Sequence, residues 1–159
     1  MKRLLVLVAC LAALLAPAAA EAHPLGNFTT NRYAELVVSG DRLYVVYVLD
    51  LAEIPTFQDR SKLAQLGREG YAERLVGRIE RGLAVRAGGE RLPLRELDRR
   101  LTFPKGIGGL RTSRLELVLD AGPASGARRV SIADSTFAGR VGWKEIVIRG
   151  SCRNDSSLC

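Results

Sequence analysis

The stretch Leu43-Tyr44-Val45-Val46-Tyr47-Val48-Leu49 constrains the fold more than any other part of the chain. It is apolar on both of the faces that a β-strand presents, so it has to lie centrally in a sheet or between layers. Ser39-Gly40-Asp41 precedes it as a turn, and Tyr33 to Val38 precedes the turn as another strand. Two apolar runs around a short glycine-containing turn make a β-hairpin, the second strand of which runs from Arg42 to Asp50. The expected series continues with Leu83 to Ala87, a tight turn at Gly88-Gly89, Leu92 to Phe103, Arg114 to Asp120, Arg129 to Ile132 and Lys144 to Arg149. Pro104 to Gly109 and Ala121 to Gly126 read as loops.

One segment departs from this pattern. Tyr71, Leu75 (or Ala72), Val76 and Ile79 recur at helical spacing, which predicts an amphipathic helix from Gly70 to about Arg81, ended by Gly82. Ser61 to Leu66 adds a helical turn before it. Ile54-Pro55-Thr56-Phe57 reads as an interruption, because Pro55 lacks a donor and pushes Ile54 out of the α region. About seven short strands with turns at sandwich spacing predict a mainly β fold, an immunoglobulin-like two-layer β-sandwich with one inserted helix. The alternative is an open α+β sheet with the helix on one face. Trp143, Tyr33, Tyr44, Tyr47 and Phe57 are expected in the core. Lys144 and Glu145 are expected to be exposed.

The first residues have the three parts of a secretory signal peptide: Lys2-Arg3, the apolar run Leu4 to Leu15, and small residues after Pro17. The run is too short to span a bilayer, which takes roughly 20 apolar residues. Leu7-Val8-Ala9-Cys10 resembles a lipid-attachment motif, but the apolar run before Cys10 is too short. Two cleavage points fit the small-x-small pattern. One leaves Glu21 first, the other His23. The division expected is a signal peptide over 1–22, an extracytoplasmic β domain over 23–150 and an irregular tail over 151–159, on the outer face of the cell membrane or secreted. Of the three cysteines, Cys10 leaves with the leader, and Cys152 and Cys159 lie in the tail; their spacing is neither a disulfide framework nor a zinc motif.

The net charge of +7 comes mostly from arginines spread through the chain. They form no block interleaved with aromatics, so nucleic acid is not an expected partner. The charge suits solubility, or a surface facing anionic lipid headgroups. The single histidine is His23. No Gly-x-Ser-x-Gly elbow and no glycine-rich phosphate loop accompanies it, so the chain is not expected to be an enzyme. A copper oxygenase with an N-terminal histidine would need a second histidine.

His23 is better suited to hold a metal. If processing leaves it first, its amine and imidazole belong to one residue and close a chelate. If processing leaves Glu21 first, Glu21-Ala22-His23 supplies an amine, two backbone nitrogens and an imidazole in a square plane, a geometry that suits Cu(II) or Ni(II). Asp50 and Glu53 are candidate carboxylate ligands, provided that the strand end lies near the terminus. Their ordinary reading is a strand end for Asp50 and an exposed loop for Glu53.

Three stretches carry a family resemblance: His23-Pro24-Leu25-Gly26-Asn27-Phe28-Thr29-Thr30-Asn31, Tyr47-Val48-Leu49-Asp50-Leu51-Ala52-Glu53-Ile54-Pro55-Thr56-Phe57-Gln58, and Phe137-Ala138-Gly139-Arg140-Val141-Gly142-Trp143-Lys144-Glu145-Ile146-Val147. Together they resemble the N-terminal extracytoplasmic domain of bacterial membrane proteins of the nickel/cobalt transporter type, in which a soluble β domain precedes a multi-helix permease. The resemblance implies a module that senses, delivers or binds Ni(II) or Co(II) at the outer face, with a membrane permease as partner. It implies no catalytic residues. The permease part is absent and the 151–159 tail is unlike the family's continuation, as in a truncated product or a fragment, so transport itself is not carried over. The other reading is an interaction module of a membrane protein that binds no metal.

Overall fold

The structure is a computed structural model that describes residues 26–124 and 126–151. The expected leader, His23 and all three cysteines lie outside the described residues. Among the described residues eight strands form two sheets. β1 (Thr30–Ser39), β2 (Arg42–Leu51), β5 (Arg95–Thr102), β6 (Ser113–Pro123) and β8 (Lys144–Ser151) make a five-stranded sheet in the order β5-β6-β2-β1-β8. β3 (Leu83–Ala87), β4 (Glu90–Arg91) and β7 (Val130–Asp134) make a smaller one in the order β4-β3-β7. Two helices are inserted between β2 and β3: α1 (Glu53–Gln58) and α2 (Arg60–Gly82). The fold is the expected mainly β, two-sheet arrangement with an inserted helix.

The strand with two apolar faces, β2, is the middle strand of the large sheet, flanked antiparallel by β1 and β6. Its inner residues Leu43, Val45, Tyr47 and Leu49 are fully buried against Leu36 of β1 and Leu115, Leu117 and Leu119 of β6. Tyr71, Ala72, Leu75, Val76 and Ile79 of α2, with Leu83 and Val85 of β3, complete this single core. Gly88 and Gly89 both take positive φ (59° and 94°) in the turn before β4, the backbone that a two-residue hairpin turn demands.

Several expectations need correction. The helix starts at Arg60, so the turn expected over Ser61 to Leu66 and the helix expected from Gly70 form one element, kinked at left-handed Gly67 (φ 68°). Its first half shows no period because almost every residue from 60 to 69 is exposed. Ile54 to Phe57 is helical rather than an interruption. Pro55 falls in the first turn of α1, where a backbone N–H has no intrahelical partner to lose. Glu53 opens that helix and is buried, not exposed in a loop. Of the aromatics expected in the core, only Tyr47 is fully buried; Tyr33 and Tyr44 lie half-buried on the outer face of the sheet. Phe57 is exposed and carries the Arg60 guanidinium 3.8 Å above its ring. Trp143 is 50% exposed, because it leads into an edge strand over which no second layer packs among the described residues.

Candidate functional site

The start of the described chain is laced to the corner where β2 turns into α1. A 3-10 turn over Gly26–Phe28 feeds β1, whose first residues pair Thr30 with Leu51 and Asn31 with Asp50. The Ala52 N–H then donates to the Thr29 carbonyl at 3.0 Å. This brings Gly26, Asn31, Asp50, Glu53 and Thr112 around one open cavity of about 320 Å³. The strand end thus lies beside Gly26, while Glu21 and His23, to which the condition on the two carboxylates applies, fall outside the described residues.

The two carboxylates are held differently. Asp50 is half-exposed, and its Oδ2 accepts from Arg114 Nη1 at 2.8 Å. Glu53 is buried, and its Oε1 accepts from the Ile107 N–H at 2.8 Å. Gly106 makes that contact possible, since a Cβ there would collide with the Glu53 side chain. Glu53 therefore pins the 104–112 loop to α1, while Asp50 lines the same cavity and remains half-exposed. Among the described residues no group of three or more His, Cys, Asp or Glu side chains is placed to hold a metal ion. A metal here needs a further ligand, and His23 is three residues from Gly26, at most about 11 Å along an extended chain.

A second feature was not foreseen from sequence. Arg74, Arg78 and Arg81 line adjoining recesses beside α2, with Lys62, Asp59 and the loop residue Arg140. Lys62 pairs with Asp59, but Arg74, Arg78, Arg81 and Arg140 form no ion pair among the described residues. The Arg78 guanidinium stacks 3.8 Å over Phe137. Partial burial first, and then the charges of Arg140, Arg74 and Arg81, hold its pKa below the ordinary arginine value, against the opposing pull of Asp59. Spacing of four and three along α2 puts the three helix arginines on one face, a signal that was available; the arrival of Arg140 beside them depends on the β7–β8 loop and was not.

No family model matches this chain, and no curated protein or solved structure matches it significantly. The described helices include none long and apolar enough to cross a membrane.

Proposed function

We propose that the chain is an exported, non-catalytic metal-handling domain associated with nickel or cobalt transport, which captures its cargo ion between the processed N-terminus and the β2–α1 corner. The observation that carries this reading is the cavity shared by Gly26, Asp50 and Glu53. His23 supplies imidazole and amine nitrogens and Asp50 the nearest exposed carboxylate. Glu53, tied to the Ile107 N–H, shapes the corner and adds negative charge beside the ion. Nitrogen donors with few carboxylates suit Ni(II), Co(II) and Cu(II) better than Ca(II) or Mg(II). The family resemblance in the His23–Asn31 and Tyr47–Gln58 stretches supports the same reading, since the described part of the first, from Gly26 on, lines this cavity together with Asp50 to Glu53 of the second.

The test is calorimetric titration of the processed protein, its first residue established by N-terminal sequencing, with Ni(II) and Cu(II). His23→Ala is expected to weaken binding by about 100-fold or more, as loss of a primary ligand should exceed the 10–100-fold cost typical of a second-shell change. Asp50→Asn should weaken it by about tenfold, with the melting temperature nearly unchanged because its ion pair with Arg114 is half-exposed. Equal affinity in the wild type and His23→Ala would remove the histidine, and with it the proposal.

A second reading is favoured by the unpaired arginines: an interaction module that rests on a membrane without holding a metal. Each basic residue near an anionic surface contributes about 1 kcal/mol. Phosphatidylglycerol-containing vesicles should therefore sediment with the protein at low salt, pure phosphatidylcholine vesicles should not, and Arg74→Ala/Arg78→Ala should weaken partition by about 30-fold at that energy. Partition that ignores both salt and the two substitutions would exclude this surface.

A further inference from the structure

The two edges of the large sheet are built differently. β5 reads Arg-Glu-Leu-Asp-Arg-Arg-Leu-Thr, and its pairing with β6 slips at a bulge between Glu96 and Asp98. Charge and a bulge are the ordinary means of keeping another strand off an edge. β8 has neither a bulge nor a charged centre. It follows β1 in unbroken parallel register from Lys144 to Ser151, and its middle is Ile146-Val147-Ile148. Ile146 and Ile148 stand opposite Ala34 and Leu36, which are buried in the core. Yet the two isoleucines are 36% and 53% exposed. Among the described residues the inner layer of the sandwich stops one strand short of the edge.

The backbone phase of that edge is defined. The Arg32 N–H donates to the Trp143 carbonyl at 3.1 Å. Alternation along a strand then directs the N–H and C=O groups of 145, 147 and 149 at β1, and those of 144, 146 and 148 at the open side.

We infer that β8 is the docking edge for a second copy of this chain, joined antiparallel about a two-fold axis at Val147. A two-fold antiparallel pair must match the outward-directed even-numbered residues with one another, so the axis falls on a residue: 145, 146, 147 or 148. An axis at Glu145 sets that carboxylate against itself. Axes at Ile146 or Ile148 set Glu145 or Arg149 against valine. The axis at Val147 alone sets Glu145 opposite Arg149 of the second copy, twice. It also makes Ile146 and Ile148 of the two copies a hydrogen-bonded pair, so four isoleucines extend the core layer across the junction. The charges that would guard an isolated edge become complementary in this one register. Arg149 is placed for the role: its Nε donates to Glu35 Oε1 at 2.7 Å, while its side chain remains 71% exposed. The contact is isologous and closes on itself, leaving the two β5 edges as the blunt ends of a ten-stranded sheet.

The experiment is sedimentation of the purified full chain under reducing conditions over a range of concentrations. A concentration-dependent dimer is expected. Glu145→Arg alone and Arg149→Glu alone should each weaken it by at least about tenfold, by opposing like charges. An equimolar mixture of the two variants should regain the dimer, because each introduced charge then faces its opposite. Recovery on mixing also shows that both variants are folded. Ile148→Pro removes only an outward-facing donor, which an edge strand tolerates, and should yield a monomer with unchanged circular dichroism. A wild type that stays monomeric throughout overturns the inference, as does a dimer that withstands both charge reversals and the proline.

Discussion

Ile79→Ala is expected to lower the unfolding free energy by about 3–4 kcal/mol, within the range for deleting a fully buried isoleucine side chain. Ile79 is 0% exposed and sits where the second half of α2 meets the sheet, in the same cluster as Tyr71, Leu75 and Val76. The loss includes the transfer energy of the removed carbons and the void they leave, because α2 is fixed at its C-terminal end by the Leu83 N–H bonded to the Ile79 carbonyl and cannot settle inward freely. For a domain whose whole stability is of the order of 5–15 kcal/mol, that is a large share. Gln65→Ala, in the exposed first half of the same helix, should change stability by no more than about 0.5 kcal/mol. Urea unfolding followed by circular dichroism measures both. A loss below about 1 kcal/mol for Ile79→Ala would mean that α2 does not cover the sheet.

The contrast between those two positions also shows what the sequence could disclose. The Leu43–Leu49 run and the 71–79 period are legible because burial on a regular element imposes a pattern on the residues themselves. The 60–69 turns carry no apolar face, so their order suggests only the turn expected over Ser61 to Leu66 and not its continuity with the 71–79 period. Trp143 misleads for a related reason: its size argues for burial, but its place beside an edge strand is a property of sheet order, which local pattern does not encode. At the candidate metal site the chemistry of His23, Asp50 and Glu53 was readable, and so was the dependence on where β2 ends. That Glu53 would be consumed in holding Ile107 was not, since the two are joined only by the folding of the 104–112 loop over α1. The pairing potential of Lys144 to Arg149 is written in the sequence as a self-complementary string. Recognising it required knowing that β8 lies at an edge and which of its backbone groups face outward.

Stability should fall steeply in alkali, and two buried tyrosines should be the cause. Tyr47 is sealed in the core and its hydroxyl donates to Asp134 Oδ2 at 3.1 Å; Tyr71, on the buried face of α2, donates to Asp59 Oδ2 at 3.0 Å. Burial, and after it the charge of the neighbouring carboxylate, pushes each phenol far above its ordinary range. In the unfolded chain both titrate near 10. Below that pH neither state releases the proton and stability is unaffected. Above it the unfolded chain binds fewer protons than the native one, so unfolding is increasingly favoured. Each group then costs up to about 1.4 kcal/mol per pH unit, and the pair roughly 4 kcal/mol by about pH 11.5. Tyr33, raised by its hydrogen bond to Glu35, adds a smaller slope of the same sign from the outer face. Tyr47→Phe/Tyr71→Phe should be less stable near neutrality, because Asp134 and Asp59 each lose a donor. Its stability should nevertheless decline much more gently between pH 10 and 12, and the phenolate absorbance of the wild type should show two tyrosines ionising only as the chain unfolds. An unchanged alkaline slope in the double variant would assign the loss to other groups and contradict the sealed core on which the packing of α2 against β2 depends.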